Sequence, residues 1–375
     1  MENVLKRDRK RTYAKQEDDH DEKGVLLKRF AHQVAGRNPM YCIDSTTICK
    51  PLNPREAQFY NSRGFVKRLE KFAPRFRGRL VARVNDQGQI LAISNDNAPS
   101  LSCHRLPLKH RVRHKSDNST SDGDSSEGDE NDNTLSANSW SERIHKEKRC
   151  LSHRKFEVIL LENVTANCQK PVVLDVKVGT RLWYPLDTEK KISNHVIKAK
   201  NTTTESLGLR LHGLQIYHPE EDKFEHWDKH WGRSLSSASF EKAVFTFIDS
   251  SHPRLRYPIA SALHQHLVLL RRCVESLESY RFPGCSLLLI FDGAAWERLD
   301  ECNVDEDKVE ELTRWLRMDN LVSIKMVDFA KATYSGFLHD KIHVGPDQGY
   351  LYGLNNLLNI IQTYLDSTTH SNQKF

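Results

Sequence analysis

The most constraining stretch of the chain is Pro171-Val172-Val173-Leu174-Asp175-Val176-Lys177-Val178-Gly179-Thr180-Arg181. Successive strand side chains point to opposite faces. Val172, Leu174, Val176 and Val178 therefore make one face wholly apolar, while Asp175 and Lys177 share the other. Pro171 can stand at the first strand position, and Gly179 ends the run. The stretch reads as a buried strand that carries an acid and a base side by side. Two readings follow: a salt-bridged pair on a half-exposed strand, or two working groups on a rigid platform.

At 375 residues the chain fits one large domain or two lobes, with ample length for a core. It has no apolar run of membrane-spanning length. Its first residues, Met1 to Arg11, lack the apolar centre of a secretory signal. The cysteines at 42, 49, 103, 150, 168, 273, 285 and 302 form no Cys-x-x-Cys pair and no zinc spacing. This points to a reducing compartment, the cytoplasm or the nucleus. Lys6, Arg7, Arg9, Lys10 and Arg11 offer a nuclear address.

The net charge of +6 hides an asymmetry. Residues 116–133 hold seven acids and no Lys or Arg, so the remainder carries +13. A basic body suits a polyanion: nucleic acid, an anionic membrane surface or a highly phosphorylated small molecule. Solubility alone is the plain alternative.

Composition divides the rest. Residues 1–27 read as a charged, disordered tail and 28–100 as an N-terminal lobe. Within that lobe, Arg29–Arg37 and Tyr41–Leu52 suggest a hairpin turning at Gly36 and Asn38-Pro39. Lys50 ends an apolar strand, the place of either a phosphate-binding or a surface lysine. Residues 54–72 read as a helix with Phe59, Phe65, Val66 and Leu69 inside, and Leu80–Val84 as a strand. Residues 101–152 are too Ser- and acid-rich to offset ordering entropy, and read as a disordered insertion. Residues 153–164 hold the last strand of the first lobe and a hinge. Residues 165–366 make the larger lobe, and 367–375 a tail.

In the larger lobe, residues 188–204 suggest a helix bearing Lys190, Lys191, Lys198 and Lys200, either a solvated face or a basic wall. Leu207–Tyr217 suggests paired strands broken at glycines, and 237–249 and 255–280 suggest helices. Ile259, Leu263, Leu267, Leu270, Val274 and Leu277 recur at three and four, one buried stripe. Ser286–Phe291 and Leu321–Phe329 are strands. Val322, Ile324 and Met326 share a face with Asp328, and a carboxylate on a buried face is costly unless paired or bound to metal. Asp347, ahead of a helix through residue 364, suits a cap.

Taken together, Pro171-x-x-x-Asp175-x-Lys177-x-Gly179, Ser286-Leu287-Leu288 and Val327-Asp328-Phe329 resemble the inositol polyphosphate kinases. His32-Gln33-Val34-Ala35-Gly36, Ile48-Cys49-Lys50-Pro51-Leu52, Leu161-Glu162-Asn163-Val164, Gly179-Thr180-Arg181 and Gly345-Pro346-Asp347 resemble the hexakisphosphate kinase branch. The resemblance implies an α+β, two-lobed kinase-like fold, related to protein kinases and ATP-grasp enzymes, with a small N-terminal sheet lobe and a larger catalytic lobe. It implies ATP and Mg2+ as cofactors. Lys50 would hold the ATP phosphates, Glu162 and Val164 the adenine through hinge backbone groups, and Asp175 the ribose. Lys177 would contact both the transferred phosphate and the inositol phosphate, and Asp328 the metal. Arg181, Lys190, Lys191, Lys198, Lys200 and Lys331 would cover the substrate's charge. The expected partner is inositol hexakisphosphate or a related inositol phosphate; nucleic acid is not expected.

The chain departs from the family at two places. Lys331 stands where the family commonly has His, and Leu182-Trp183-Tyr184-Pro185 replaces a polar run. A multikinase acting on free hydroxyls of tris- and tetrakisphosphates is the alternative activity. A non-catalytic inositol phosphate-binding module is the alternative of another class.

Overall fold

The alternating stretches build two antiparallel sheets in a computed structural model that describes residues 24–36, 38–62, 68–93, 155–184, 187–300 and 322–372. The first sheet holds β1 (Val25–Leu26), β2 (Lys28–Arg29), β3 (Tyr41–Cys42), β4 (Thr47–Pro51), β5 (Phe76–Val84), β6 (Ile90–Ile93) and β7 (Lys155–Glu162). Their order is β1-β6-β5-β7-β4-β3-β2. The second holds β8 (Pro171–Val178), β9 (Leu209–His218), β10 (Lys223–Trp227), β11 (Ser286–Asp292) and β12 (Val322–Val327), in the order β10-β9-β8-β11-β12. The opening strand of the sequence is thus the middle strand of the second, five-stranded sheet. Val172, Leu174, Val176 and Val178 are wholly buried.

The helices are α1 (Pro54–Tyr60), α2 (Glu189–Lys200), α3 (Thr203–Leu207), α4 (Lys229–Ser234), α5 (Ser237–Asp249), α6 (Arg256–Glu275), α7 (Ala295–Asp300) and α8 (Gln348–Asn372). The six-residue stripe predicted on α6 is wholly buried, its last member Leu277 just past the helix end.

Several boundaries differ from the sequence reading. Residues 24–27 belong to the first lobe rather than to a tail, because Val25 and Leu26 pair with β6 and Leu27 is buried. The helix expected over 54–72 stops at Tyr60, where Asn61 caps it and the Ser62 hydroxyl bonds back to Phe59 O. Leu69 is buried beyond that break, while Phe65 and Val66 lie outside the described residues. α6 ends at Glu275, short of 280, since Ser276 caps it and Ser279 takes φ 66. α8 runs past 364 and through the expected tail to Asn372, with Ser367, Thr368 and Thr369 hydroxyls folded onto helix carbonyls. The nuclear-address cluster and the 101–152 insertion lie outside the described residues.

Of the glycine breaks expected in 207–217, Gly208 does end an element, capping α3 at φ 62 ahead of β9, whereas β9 runs through Gly213. A Cβ there would sit 2.2 Å from Val34 O, so glycine is the residue that lets the Phe30–Gly36 segment lie on the strand. The same segment brings His32 Nδ1 within 3.1 Å of Gln215 Nε2. The Gln33 amide ties the predicted turn together, donating to Ala35 O and Asn38 O, both at 2.9 Å.

The main core spans both lobes. Ala57, Phe59 and Tyr60 of α1 join the same apolar cluster as β8, β11 and α6. A smaller core of Leu27, Cys49, Ala82, Ala92, Val158 and Leu160 lies within the first lobe.

Candidate functional site

Three charged residues from distant segments meet where the sheets approach. Lys50, near the end of β4, places Nζ 3.0 Å from Asp328 Oδ1. Lys177, on β8, places Nζ 2.6 Å from Asp328 Oδ2. One carboxylate is therefore held between two ammonium groups, one from each lobe. Burial opposes ionisation of Asp328, but Lys177 and Lys50 outweigh it and hold the carboxyl well below its usual range. Burial likewise opposes the charge on Lys50, and Glu56 and Asp328 outweigh it and raise its pKa.

Glu56 is the residue that the sequence reading missed. It is 1% exposed and accepts from Lys50 Nζ at 2.8 Å and from the Phe329 N–H at 3.3 Å. Its position follows from the start of α1, where Asn53 accepts from the Glu56 N–H and Pro54 opens the helix. The signal was local: an Asn-Pro helix start followed two residues later by an acid, six residues after Lys50.

Asp328 does not continue the alternation of β12, as the sequence reading had it. The strand ends at Val327, and Asp328 takes φ 66, ψ 59. Its side chain is 38% exposed, so it opens to solvent rather than lying on a buried face. The turn is held from both sides: Cys285 Sγ donates to Asp328 O at 3.3 Å, and the next N–H goes to Glu56. A non-glycine residue in this conformation is costly and is retained where the surroundings over-determine it.

Asp175 and Lys177 are not a pair. Lys177 goes to Asp328, and Asp175 Oδ2 lies 3.5 Å from His212 Nδ1. Asp175 is 5% exposed, and its Oδ1 has no hydrogen-bond partner among the described residues. A buried carboxylate oxygen left open suits a hydroxyl donor from a bound molecule. No group of three or more His, Cys, Asp and Glu side chains among the described residues could hold a metal ion. Asp328 is the carboxylate here that would hold a divalent cation, which would supply positive charge for phosphate oxygens.

The other predicted residues are spread around this centre. Glu162 ends β7, and its N–H donates to Arg75 O at 2.9 Å; Val164 follows, half-buried, in the turn leading to β8. Arg181 lies over the Trp183 ring at 5.0 Å. Lys190 and Lys200 are exposed on α2, while Lys191 pairs with Asp187 at 3.2 Å and Lys198 is half-buried. Lys331 also reaches Asp187, at 3.0 Å.

The Leu182-Trp183-Tyr184 departure has a structural role. Arg55 of α1 is salt-bridged to Asp340 and stacks over the Tyr184 ring at 4.5 Å, and the Tyr184 and Thr333 hydroxyls both bond Asp340. Burial, then the bond to Asp340, pushes the Tyr184 phenol up to about 12. The stretch thus joins a second contact between the lobes.

Comparison with known proteins identifies the family. The family model described as inositol polyphosphate kinase matches residues 158–362, more than half of the chain. The chain belongs to the inositol polyphosphate kinase family. Among curated proteins it is 29% identical to inositol hexakisphosphate kinase 2 of Rattus norvegicus, over 90% of this chain and 95% of that one. It is 30% identical to inositol hexakisphosphate kinase 3 of Homo sapiens, with the same coverage. Among solved structures it resembles the inositol phosphate multikinase Ipk2 of S. cerevisiae, solved with ADP and Mn2+. That likeness has a TM-score of 0.54 at 18% identity and covers 85% of this chain and 99% of the other. It bears on the fold, which is the α+β, two-lobed kinase-like architecture.

Proposed function

We propose that this kinase transfers the γ-phosphoryl group of ATP to a phosphate of inositol hexakisphosphate, giving a diphosphoinositol pentakisphosphate and ADP. The observation that carries the reading is Asp328, held open to solvent between Lys50 and Lys177. The hexakisphosphate kinases named above, similar over nine-tenths of the chain, supply the substrate class.

Phosphoryl transfer depends mainly on positioning and charge neutralisation. The bond from the γ-phosphorus to the bridging oxygen breaks, ADP leaves, and a substrate phosphate oxygen forms the new bond. That oxygen is already ionised, so the site needs no strong general base. Lys50 takes the nucleotide phosphates and stays charged through Glu56. Asp175 takes the ribose with its open Oδ1, and the hinge at Glu162 and Val164 takes the adenine. Lys177 stands between the two phosphates. Asp328 holds magnesium, which when bound neutralises charge on the transferring group. Arg181 and the α2 lysines add cationic cover for the acceptor. Free thiols at Cys42, Cys49, Cys168, Cys273 and Cys285 suit a cytoplasmic or nuclear enzyme.

The test is a substrate panel with ATP and Mg2+, read by phosphorus NMR. Diphosphate resonances from the hexakisphosphate are expected, and Asp328→Asn and Lys177→Ala should abolish them in folded protein. Turnover of tris- and tetrakisphosphates without the hexakisphosphate would replace this reading with the multikinase one.

A further inference from the structure

Lys331 sits where the sequence departs from its family, three residues past Asp328. Its ammonium has three donors. Three acceptors surround it: Asp187 Oδ2 at 3.0 Å, Leu182 O at 3.3 Å and His195 Nε2 at 3.3 Å. The lysine is thus held by its own protein. An ammonium only donates, so His195 Nε2 accepts, and the imidazole is neutral with its proton on Nδ1. That N–H has no acceptor among the described residues.

The surroundings favour the same state. Burial, then the charges of Lys331 and Lys198, with Lys191 adding to them and Asp187 opposing, bring His195 down to about 4. Lys191, His195 and Lys198 stand four and three residues apart, so they share one face of α2. That face is half-buried, whereas Lys190 and Lys200 are exposed. Asp187 is itself fixed, accepting from the Tyr184 N–H at 2.8 Å and pairing with Lys191.

We propose that His195, rather than Lys331, gives the hydrogen bond to a phosphate group of the inositol polyphosphate on this side of the site, and that Lys331 is the positioning residue that fixes its tautomer. The proposal rests on the kinase reading above for the nature of the ligand. A fixed neutral donor favours an acceptor-only phosphate oxygen at this point, and a lysine whose three donors go to Asp187, Leu182 O and His195 has none left to give the ligand directly.

The experiment uses the full chain and reads two quantities: equilibrium binding of inositol hexakisphosphate, and KM and kcat at saturating ATP. A hydrogen bond to a charged group is worth about 1.5–3 kcal/mol, so His195→Ala should weaken binding and raise KM by about tenfold or more, with a smaller fall in kcat. His195→Asn, whose amide N–H can take the place of Nδ1–H, should recover most of that loss. Lys331→Met should match His195→Ala, and the double variant should add little. Unchanged hexakisphosphate binding in His195→Ala overturns the proposal. So does loss in Lys331→Met that adds fully to the loss in His195→Ala. If the wild-type chain binds the ligand without transferring phosphate, the kinase reading fails, and the binding series still decides the role of His195.

Discussion

The Phe59 ring lies on the Phe329 ring, with centroids 5.1 Å apart and planes 19° from parallel. One residue belongs to the helix after Lys50, and the other directly follows Asp328. The contact therefore sets the distance between the two lobes where the charges meet. Phe59 also meets Phe337 edge-on at 5.5 Å. Phe59→Ala should cost about 3–5 kcal/mol of stability, as expected for emptying a fully buried aromatic site. Urea unfolding measures it, and a loss below about 1 kcal/mol would show that the two rings are not coupled to the core.

Asp328 links the same turn to pH. Its folded-state pKa lies below its unfolded value, so its contribution to stability is fully present above the ordinary carboxylate range. The contribution is lost as pH falls through that range toward the lower folded value. In metal-free protein, Asp328→Asn should therefore flatten the acid side of the stability curve. Comparing unfolding midpoints at neutral pH and near pH 3 checks the sign. A wild-type and variant pair with parallel acid slopes would refute it. Transfer activity should fall by at least about 10²–10³-fold in the same variant, the scale seen when a group stabilising transition-state charge is removed.

Arg55 and Asp340 form the other interlobe contact, and the Asp340 side chain is only 3% exposed. Burial opposes its ionisation, and bonds from Arg55, Thr333 and Tyr184 outweigh that. Arg55→Met leaves the carboxylate buried without its cation and should cost about 3–5 kcal/mol. Tyr184→Phe keeps the ring under Arg55 and loses only the hydroxyl, so a cost of about 0.5–1.5 kcal/mol is expected. Thermal or urea unfolding should rank the two in that order; a larger loss in Tyr184→Phe would contradict the arrangement.

Gly213 lies opposite Asp175 in the pairing of β9 with β8. Gly213→Ala would push its new Cβ against Val34 O, and both partners are backbone or backbone-anchored. The Phe30–Gly36 segment should lift while β9 persists. Amide exchange in residues 30–36 is expected to speed up without comparable change in β8. Unaltered exchange there would mean that the segment holds its place by other contacts.

Much of this molecule is written in short-range pattern. The alternation of Pro171–Val178, the three-four stripe of α6 and the apolar runs of β7 and β11 carry their own period, because burial of one face selects it. The charged residues of the site were visible for the same reason: Asp175 and Lys177 interrupt an otherwise apolar strand. Element ends were harder to read. Asn61 and Ser279 stop or turn the chain through backbone geometry that periodicity does not encode, and α8 continues through the polar stretch Asp366–Asn372, which carries no apolar stripe to announce it.

By itself, the sequence determined that a rigid apolar strand presents Asp175 and Lys177, that Lys50 ends another strand, and that Asp328 closes a third. The tertiary structure decided who pairs with whom. Lys177 and Asp328 are separated by 151 positions, and Lys50 and Asp328 by 278. Such contacts depend on how two sheets and α1 pack, and no local period reports that packing. Packing also gave the strand's acid and base different partners, brought in Glu56, and spent Lys331 on Asp187 and His195. An ion pair needs a few ångströms of proximity, and only the folded chain supplies it.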